Sequence, residues 1–301
     1  SIFLSGGTTL KGFGRAAGIS TGTWASGPAL NTARAELTGS QNGTQDAMLA
    51  FGTAPNIVEQ YNGSSWTEVA DTSNDKQQAG GLGTSTAAIL CFGSPPSYTG
   101  GGATPTEEWN GTSWTEKNDG NTGRYVIGAC GKTSAGLAAG GLTFPPAVQK
   151  ANTESWDGTS WTEVNDMNTA SRTYNIAGVQ TSSISAGRGE PNISNVETWD
   201  GTSWTEVAEI NTTRREGAMT GYANSNALLV GGDSGPPIRA NTEFWNGTSW
   251  TEINDLATAR KALTGGGSAA KGIVFGGTTG SASAATEEFT ADNTLSTVTV
   301  S

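Results

Sequence analysis

Apolar residues in this chain come in short runs closed by glycine. Examples are Met48-Leu49-Ala50-Phe51-Gly52, Ala88 to Gly93, Ala227-Leu228-Leu229-Val230-Gly231-Gly232 and Ile273-Val274-Phe275-Gly276-Gly277. Runs this short, with turn residues at their ends, predict buried strands rather than helices. Other segments alternate. In Trp204-Thr205-Glu206-Val207, a strand puts Trp204 and Glu206 on one face and Thr205 and Val207 on the other. Asn-Gly or Asp-Gly precedes each alternating segment, at Asn62-Gly63, Asn110-Gly111, Asp157-Gly158, Asp200-Gly201 and Asn246-Gly247. These dipeptides accept the positive φ of tight hairpins.

The hairpin belongs to a repeat. Tyr61-Asn62-Gly63-Ser64-Ser65-Trp66-Thr67-Glu68 recurs as Trp109 to Glu116, Trp156 to Glu163, Trp199 to Glu206 and Trp245 to Glu252. The second aromatic stands at 66, 114, 161, 204 and 250, spacings of 48, 47, 43 and 46 residues. A degenerate copy ends at Trp24, and Phe289 begins another. Periods in the forties predict a β-propeller.

Each unit reads as four strands. The first follows Arg34, Lys76, Arg124, Arg172, Arg214 or Arg260, as in Ala35-Glu36-Leu37-Thr38-Gly39. The second is the apolar run. The third carries Glu59, Glu107, Glu154, Glu197, Glu243 or Glu287 two places before its aromatic, and the fourth is the alternating segment. Residues 32–301 supply six such units. Ile2 to Gly7, Arg15 to Ile19 and the Trp24 strand supply three strands more, one short of a further blade. The expected fold is therefore an all-β, single-domain propeller over residues 1–301, with seven blades and one strand missing. The tail Leu295 to Val300 is a candidate substitute for that strand. Six blades plus an N-terminal appendage is the alternative.

Composition narrows the chemistry. The 301 residues carry 44 glycines and a formal charge of −11. An acidic balance opposes nucleic-acid binding. No apolar run approaches the roughly 20 residues of a membrane span, and the first residues lack the basic and apolar regions of a signal peptide. The chain contains no histidine, which removes Ser-His-Asp and Cys-His catalysis and histidine-held zinc or copper. Cys91 and Cys130 are too few for a disulfide framework. They read as buried thiols, or as a chance contact between adjacent blades.

Arginine before the first strand, Gly-Gly closing the second, an aromatic in the third and tryptophan in the fourth resemble the kelch motif over essentially the whole chain. The wording of Thr106 to Glu116, with Asn31-Thr32-Ala33-Arg34 and the ending Ala285 to Thr294, is similar to kelch-like repeats of marine bacteriophage structural proteins. The resemblance implies a non-enzymatic virion or extracellular module, without cofactor or metal. Its partners would be other virion proteins or a host-surface protein or glycan, and a homo-oligomer within a larger assembly is compatible with it. A lectin-like or glycan-active extracellular propeller is the competing expectation.

Several positions remain candidates for binding. Strand order places Arg34, Arg124, Arg172, Arg214 and Arg260, with Lys76, around one end of the propeller and the Asn-Gly hairpins around the other. The basic ring either pairs with the third-strand glutamates or faces a ligand. The loops from second to third strand lie at the same end and differ most between copies. They hold Ser94 to Tyr98, Leu142 to Pro146 and Asp233 to Arg239. Loops on a rigid scaffold commonly carry function, so Tyr98, Phe144 and Arg239 join the arginines as the expected binding face. The repeated tryptophans read as packing between blades. The hairpins resemble the Asp-box of sialidases but depart from it, since Asp157 and Gly158 are adjacent.

Overall fold

The computed structural model describes residues 9–12, 21–53, 55–95, 104–173, 176–189, 194–292 and 296–299. Six antiparallel four-stranded blades form the ring. Blade 1 is Thr38–Gly39, Met48–Phe51, Val58–Tyr61 and Trp66–Val69. Blade 2 is Gly80–Thr84, Ala87–Cys91, Thr106–Trp109 and Trp114–Lys117. Blade 3 is Gly128–Lys132, Ala135–Ala139, Thr153–Trp156 and Trp161–Val164. Blade 4 is Ile176–Val179, Ser182–Ser185, Val196–Trp199 and Trp204–Val207. Blade 5 is Ala218–Ala223, Asn226–Val230, Thr242–Trp245 and Trp250–Ile253. Blade 6 takes Thr264–Ser268, Lys271–Phe275 and Thr286–Ala291 from the end of the chain and Gly22–Gly27 from its beginning.

The count of seven is thereby corrected to six. The Trp24 strand does not begin a blade of its own. It is the outermost strand of the last one, with Trp24 opposite Phe289 and Gly22 opposite Ala291. Closing the ring with strands from both ends hides an edge that would otherwise stay open at the junction. The tail strand Ser296–Thr299 pairs with Thr9–Gly12 as a separate ribbon. The predicted strands at Ile2 to Gly7 and Arg15 to Ile19 fall outside the described residues. Among the described residues there is no helix, and so none long and apolar enough to cross a membrane.

The innermost strands contact one another in order around the axis. They begin later than the pattern predicts. Glu36, Gln78, Val126, Glu216 and Ala262 have φ between 52° and 60°, a region that costs non-glycine residues about 1–3 kcal/mol each. Main-chain bonds around the axis hold them there. Gln78 donates to Glu36 (3.3 Å), Val126 to Gln78 (2.8 Å), Ala262 to Glu216 (2.7 Å) and Glu36 to Ala262 (3.0 Å). This collar lines the mouth of the channel at one end. At the other end, Asn42 of blade 1 reaches across the axis. Its Nδ2 donates to the Gly178 carbonyl of blade 4 (2.8 Å), and its Oδ1 accepts from the Gly131 amide of blade 3 (2.7 Å).

The blades pack through their aromatics. The third-strand rings Tyr61, Trp109, Trp156, Trp199, Trp245 and Phe289 are almost fully buried. Each lies about 5 Å from the outer-strand tryptophan of its own blade. Trp66, Trp161, Trp204 and Trp250 are buried, whereas Trp114 is half-buried, so burial is not uniform as the repeat implies. The indole N–H reaches the preceding blade. Where that blade's third strand begins with threonine, the hydroxyl accepts: Trp161 to Thr106, Trp204 to Thr153, Trp24 to Thr242 and Trp66 to Thr286, at 2.9–3.1 Å. Where it begins with Val58 or Val196, the Ala70 or Ala208 carbonyl accepts instead, from Trp114 (3.0 Å) or Trp250 (3.1 Å). Beyond the tryptophan the alternation fails. Thr205 and Glu206 are both exposed, because the outermost strand there leaves the interface and forms the rim.

Candidate functional site

The basic ring is internal. Arg34, Arg124, Arg214 and Arg260 are at most 3% exposed, so they present no guanidinium to a ligand. Each pairs with the third-strand glutamate of its own blade: Arg34 with Glu59 (2.8 Å), Arg124 with Glu154 (2.6 Å), Arg214 with Glu243 (2.5 Å) and Arg260 with Glu287 (2.9 Å). Lys76 does the same with Glu107 (3.2 Å). Burial pushes the four arginines below their ordinary value, and the paired carboxylates oppose that shift.

An asparagine completes the knot. Asn121 donates its amide N–H (2.8 Å) and Nδ2 (2.9 Å) to Glu154 Oε2, and Nδ2 also reaches the Trp161 carbonyl (3.1 Å). Asn31, Asn168 and Asn211 repeat this geometry on Glu59, Glu197 and Glu243. Ser73 and Ala257 contribute the backbone N–H alone. A carboxyl group accepting this many donors is fixed in place as part of the scaffold. The signal in sequence is asparagine three residues before arginine, in Asn31-Thr32-Ala33-Arg34, Asn121 to Arg124 and Asn211 to Arg214.

Blade 4 departs from the rule and corrects the assignment of Arg172. The guanidinium on Glu197 is that of Arg188 (2.7 Å), reaching in from the end of the second strand. Arg172 is half-buried beside Gly189, whose amide donates to the Arg172 carbonyl (3.0 Å). Two side chains from different strands can thus occupy one ionic position.

The variable loops lie at the collar end, the same end as these knots. In blade 3 the loop folds into a small hairpin, Leu142–Thr143 against Val148–Gln149. Its tip exposes Phe144 (38%) and Val148 (43%), two of the three large exposed apolar side chains among the described residues. Tyr98 lies outside the described residues. Arg239 is half-buried, with Nη2 on Ser234 Oγ (3.1 Å).

Blades 5 and 6 add a charge quartet that sequence reasoning missed. Lys261 Nζ contacts Asp233 (2.6 Å) and Glu216 (3.2 Å), and Arg215 approaches both acids from the other side. The hydrogen bond to Asp233 raises the Lys261 value, with Glu216 adding to it. The doubled basic residues Arg214-Arg215 and Arg260-Lys261 were its available signal.

The remaining candidates are structural. In the hairpins glycine alone takes the positive φ, 88–97° across the five copies. The Asn or Asp side chain caps the turn, as Asn62 Oδ1 does for the Ser64 and Ser65 amides (3.0 and 2.9 Å). The same amide bonds hold Asp157 and Asp200 below the ordinary carboxylate value. Cys91 and Cys130 are free, buried thiols, pushed up to about 12 by burial. Among the described residues no cluster of acids and thiols could hold a metal ion.

No protein-family model and no curated protein matches the chain. A solved structure described as "Structure of YjhT" superimposes with a TM-score of 0.72, covering 90% of this chain and 99% of that one at 13% identity. At that identity the likeness concerns fold alone, and on it this chain is an all-β propeller of six four-stranded blades.

Proposed function

We propose that the chain is a non-enzymatic binding module that presents its variable loops to a macromolecular partner. One observation carries this reading. The third-strand glutamate of every blade is engaged inside the ring by a buried arginine or lysine, so these pairs are unsuited to catalysis or ligand capture. The side chains that break the repeat, Phe144 and Val148 above all, stand exposed at the collar end. A rigid scaffold lowers the entropy lost when such loops bind. The repeat wording adds the finer reading: a tail, fibre or capsid-attached subunit of a virion, bound to other virion proteins or to a host surface, with the chain as one copy of a larger assembly.

The test is immunogold labelling of particles purified from the source lysate, alongside glycoside turnover by the purified chain. Label on the particle and no turnover are expected. A chain confined to the particle-free fraction would overturn the virion reading, and glycoside turnover would overturn the non-enzymatic one.

A further inference from the structure

The end of the ring opposite the variable loops holds a second set of departures from the repeat, and they converge. Blade 5 carries a β-bulge between Thr220 and Ala223. The bulge contains Tyr222, the one aromatic residue in any described innermost strand. In blade 1 the innermost strand ends early, at Gly39, and the segment that follows supplies Asn42 across the axis and then Thr44, Gln45 and Asp46. Sites where a repeat breaks its own rules are where function is expected.

Several of these residues border an open cleft between blades 1, 5 and 6. It is lined by Thr44, Gln45, Asp46, Tyr222, Ser268 and Lys271, with a volume of about 380 Å³, within the range of small-ligand sites. Its walls are held in place. Tyr222 Oη donates to the Gly43 carbonyl (2.7 Å), which fixes the ring while leaving it 36% exposed. Gln45 Nε2 donates to the Gly272 and Phe289 carbonyls (3.1 and 2.7 Å), pinning the blade 1 segment to blade 6. Thr44 Oγ1 donates to Asp46 Oδ1 (2.6 Å). Behind the cleft, Asn42 crosses the channel.

We infer that this cleft binds a neutral pyranoside ring. A part-exposed aromatic ring in the lining, anchored through its hydroxyl, suits the C–H face of a sugar. Around it stand an acceptor carboxylate, a donor ammonium and two hydroxyls, the mixed set that vicinal hydroxyl groups require. The single carboxylate and single ammonium cancel, and the chain's charge of −11 opposes a phosphate or another anion. The site is at the opposite end from the loops of the proposed function and does not depend on that reading.

Saturation-transfer NMR on the full chain tests it, with methyl β-D-galactopyranoside, methyl α-D-mannopyranoside and methyl β-D-glucopyranoside as probes. Saturation should reach the ring protons of at least one of them. Tyr222→Phe, which keeps the ring but loses its bond to Gly43, should weaken binding less than Tyr222→Ala. Tyr222→Ala should weaken it at least tenfold, and so should Asp46→Asn, an exposed change that leaves the fold intact. Exchange of the loop at 142–149 should leave it unchanged. The inference is overturned if none of the three probes binds, if binding survives both Tyr222→Ala and Asp46→Asn, or if it is lost only on loop exchange.

Discussion

Replacing Glu154 by glutamine keeps the shape of the side chain and removes its charge. In the native blade its oxygens accept from Asn121 N–H, Asn121 Nδ2 and Arg124 Nη2 at 2.6–2.9 Å. The glutamine amide would turn an NH₂ toward one set of those donors and leave the Arg124 charge buried without its counter-ion. Breaking a buried pair from one side costs about 3–5 kcal/mol. Arg124 keeps its bonds to the Gly140 and Asn152 carbonyls (2.7 and 2.6 Å), which places the expectation near the low end, about 3 kcal/mol. Urea unfolding of Glu154→Gln, with the exposed Glu116→Gln as control, measures it. Adding Arg124→Met removes the stranded charge, so the double variant should recover about 1 kcal/mol or more. If Glu154→Gln stays within about 0.5 kcal/mol of the parent, as surface changes do, the internal-knot reasoning is wrong.

Trp161→Ala should cost about 3–5 kcal/mol. Thr106→Val should cost only about 1 kcal/mol in the same unfolding assay, because Trp114 and Trp250 show that the indole N–H can turn to a carbonyl instead. Asp157 and Asp200 sit below the ordinary 3.8, so their contribution is present above that value and is lost as pH falls through the lowered one. The double variant Asp157→Asn with Asp200→Asn should therefore match the parent at neutral pH and show a flatter acid limb; an unchanged acid limb would contradict the cap. Cys91 and Cys130 should resist iodoacetamide at pH 8 and react on unfolding, since buried thiols near 12 hold almost no thiolate; modification of the native chain would show that the blades open.

The sequence made the repeat, the four strands of a blade and the facing positions of arginine and glutamate legible, because each rests on local spacing. It did not make the blade count legible. Blade 6 is assembled from Trp24 and Phe289, which are far apart in the chain, and spacing carries no sign that the two strands pair. The Arg188 substitution in blade 4 was hidden for a similar reason: the carboxylate is met by whichever guanidinium reaches it, from either strand. Asparagine in the knot acts half through its backbone N–H, which residue type does not reveal. Tyr222 was not legible either, because nothing in local spacing marks the bulge that holds it.

In the proposed function, buried ion pairs build the ring and the loops that break the repeat at the collar end hold the macromolecular partner. Exchange of the segments 142–149 and 233–239 for the short connections of other blades tests it directly, read out as attachment or assembly. The comparison is charge removal on the rim at Glu68, Glu116, Glu206 and Glu252, all exposed. Loop exchange is expected to abolish attachment, and the rim variant to retain it. Attachment that survives loop exchange and is lost with the rim charges would contradict it.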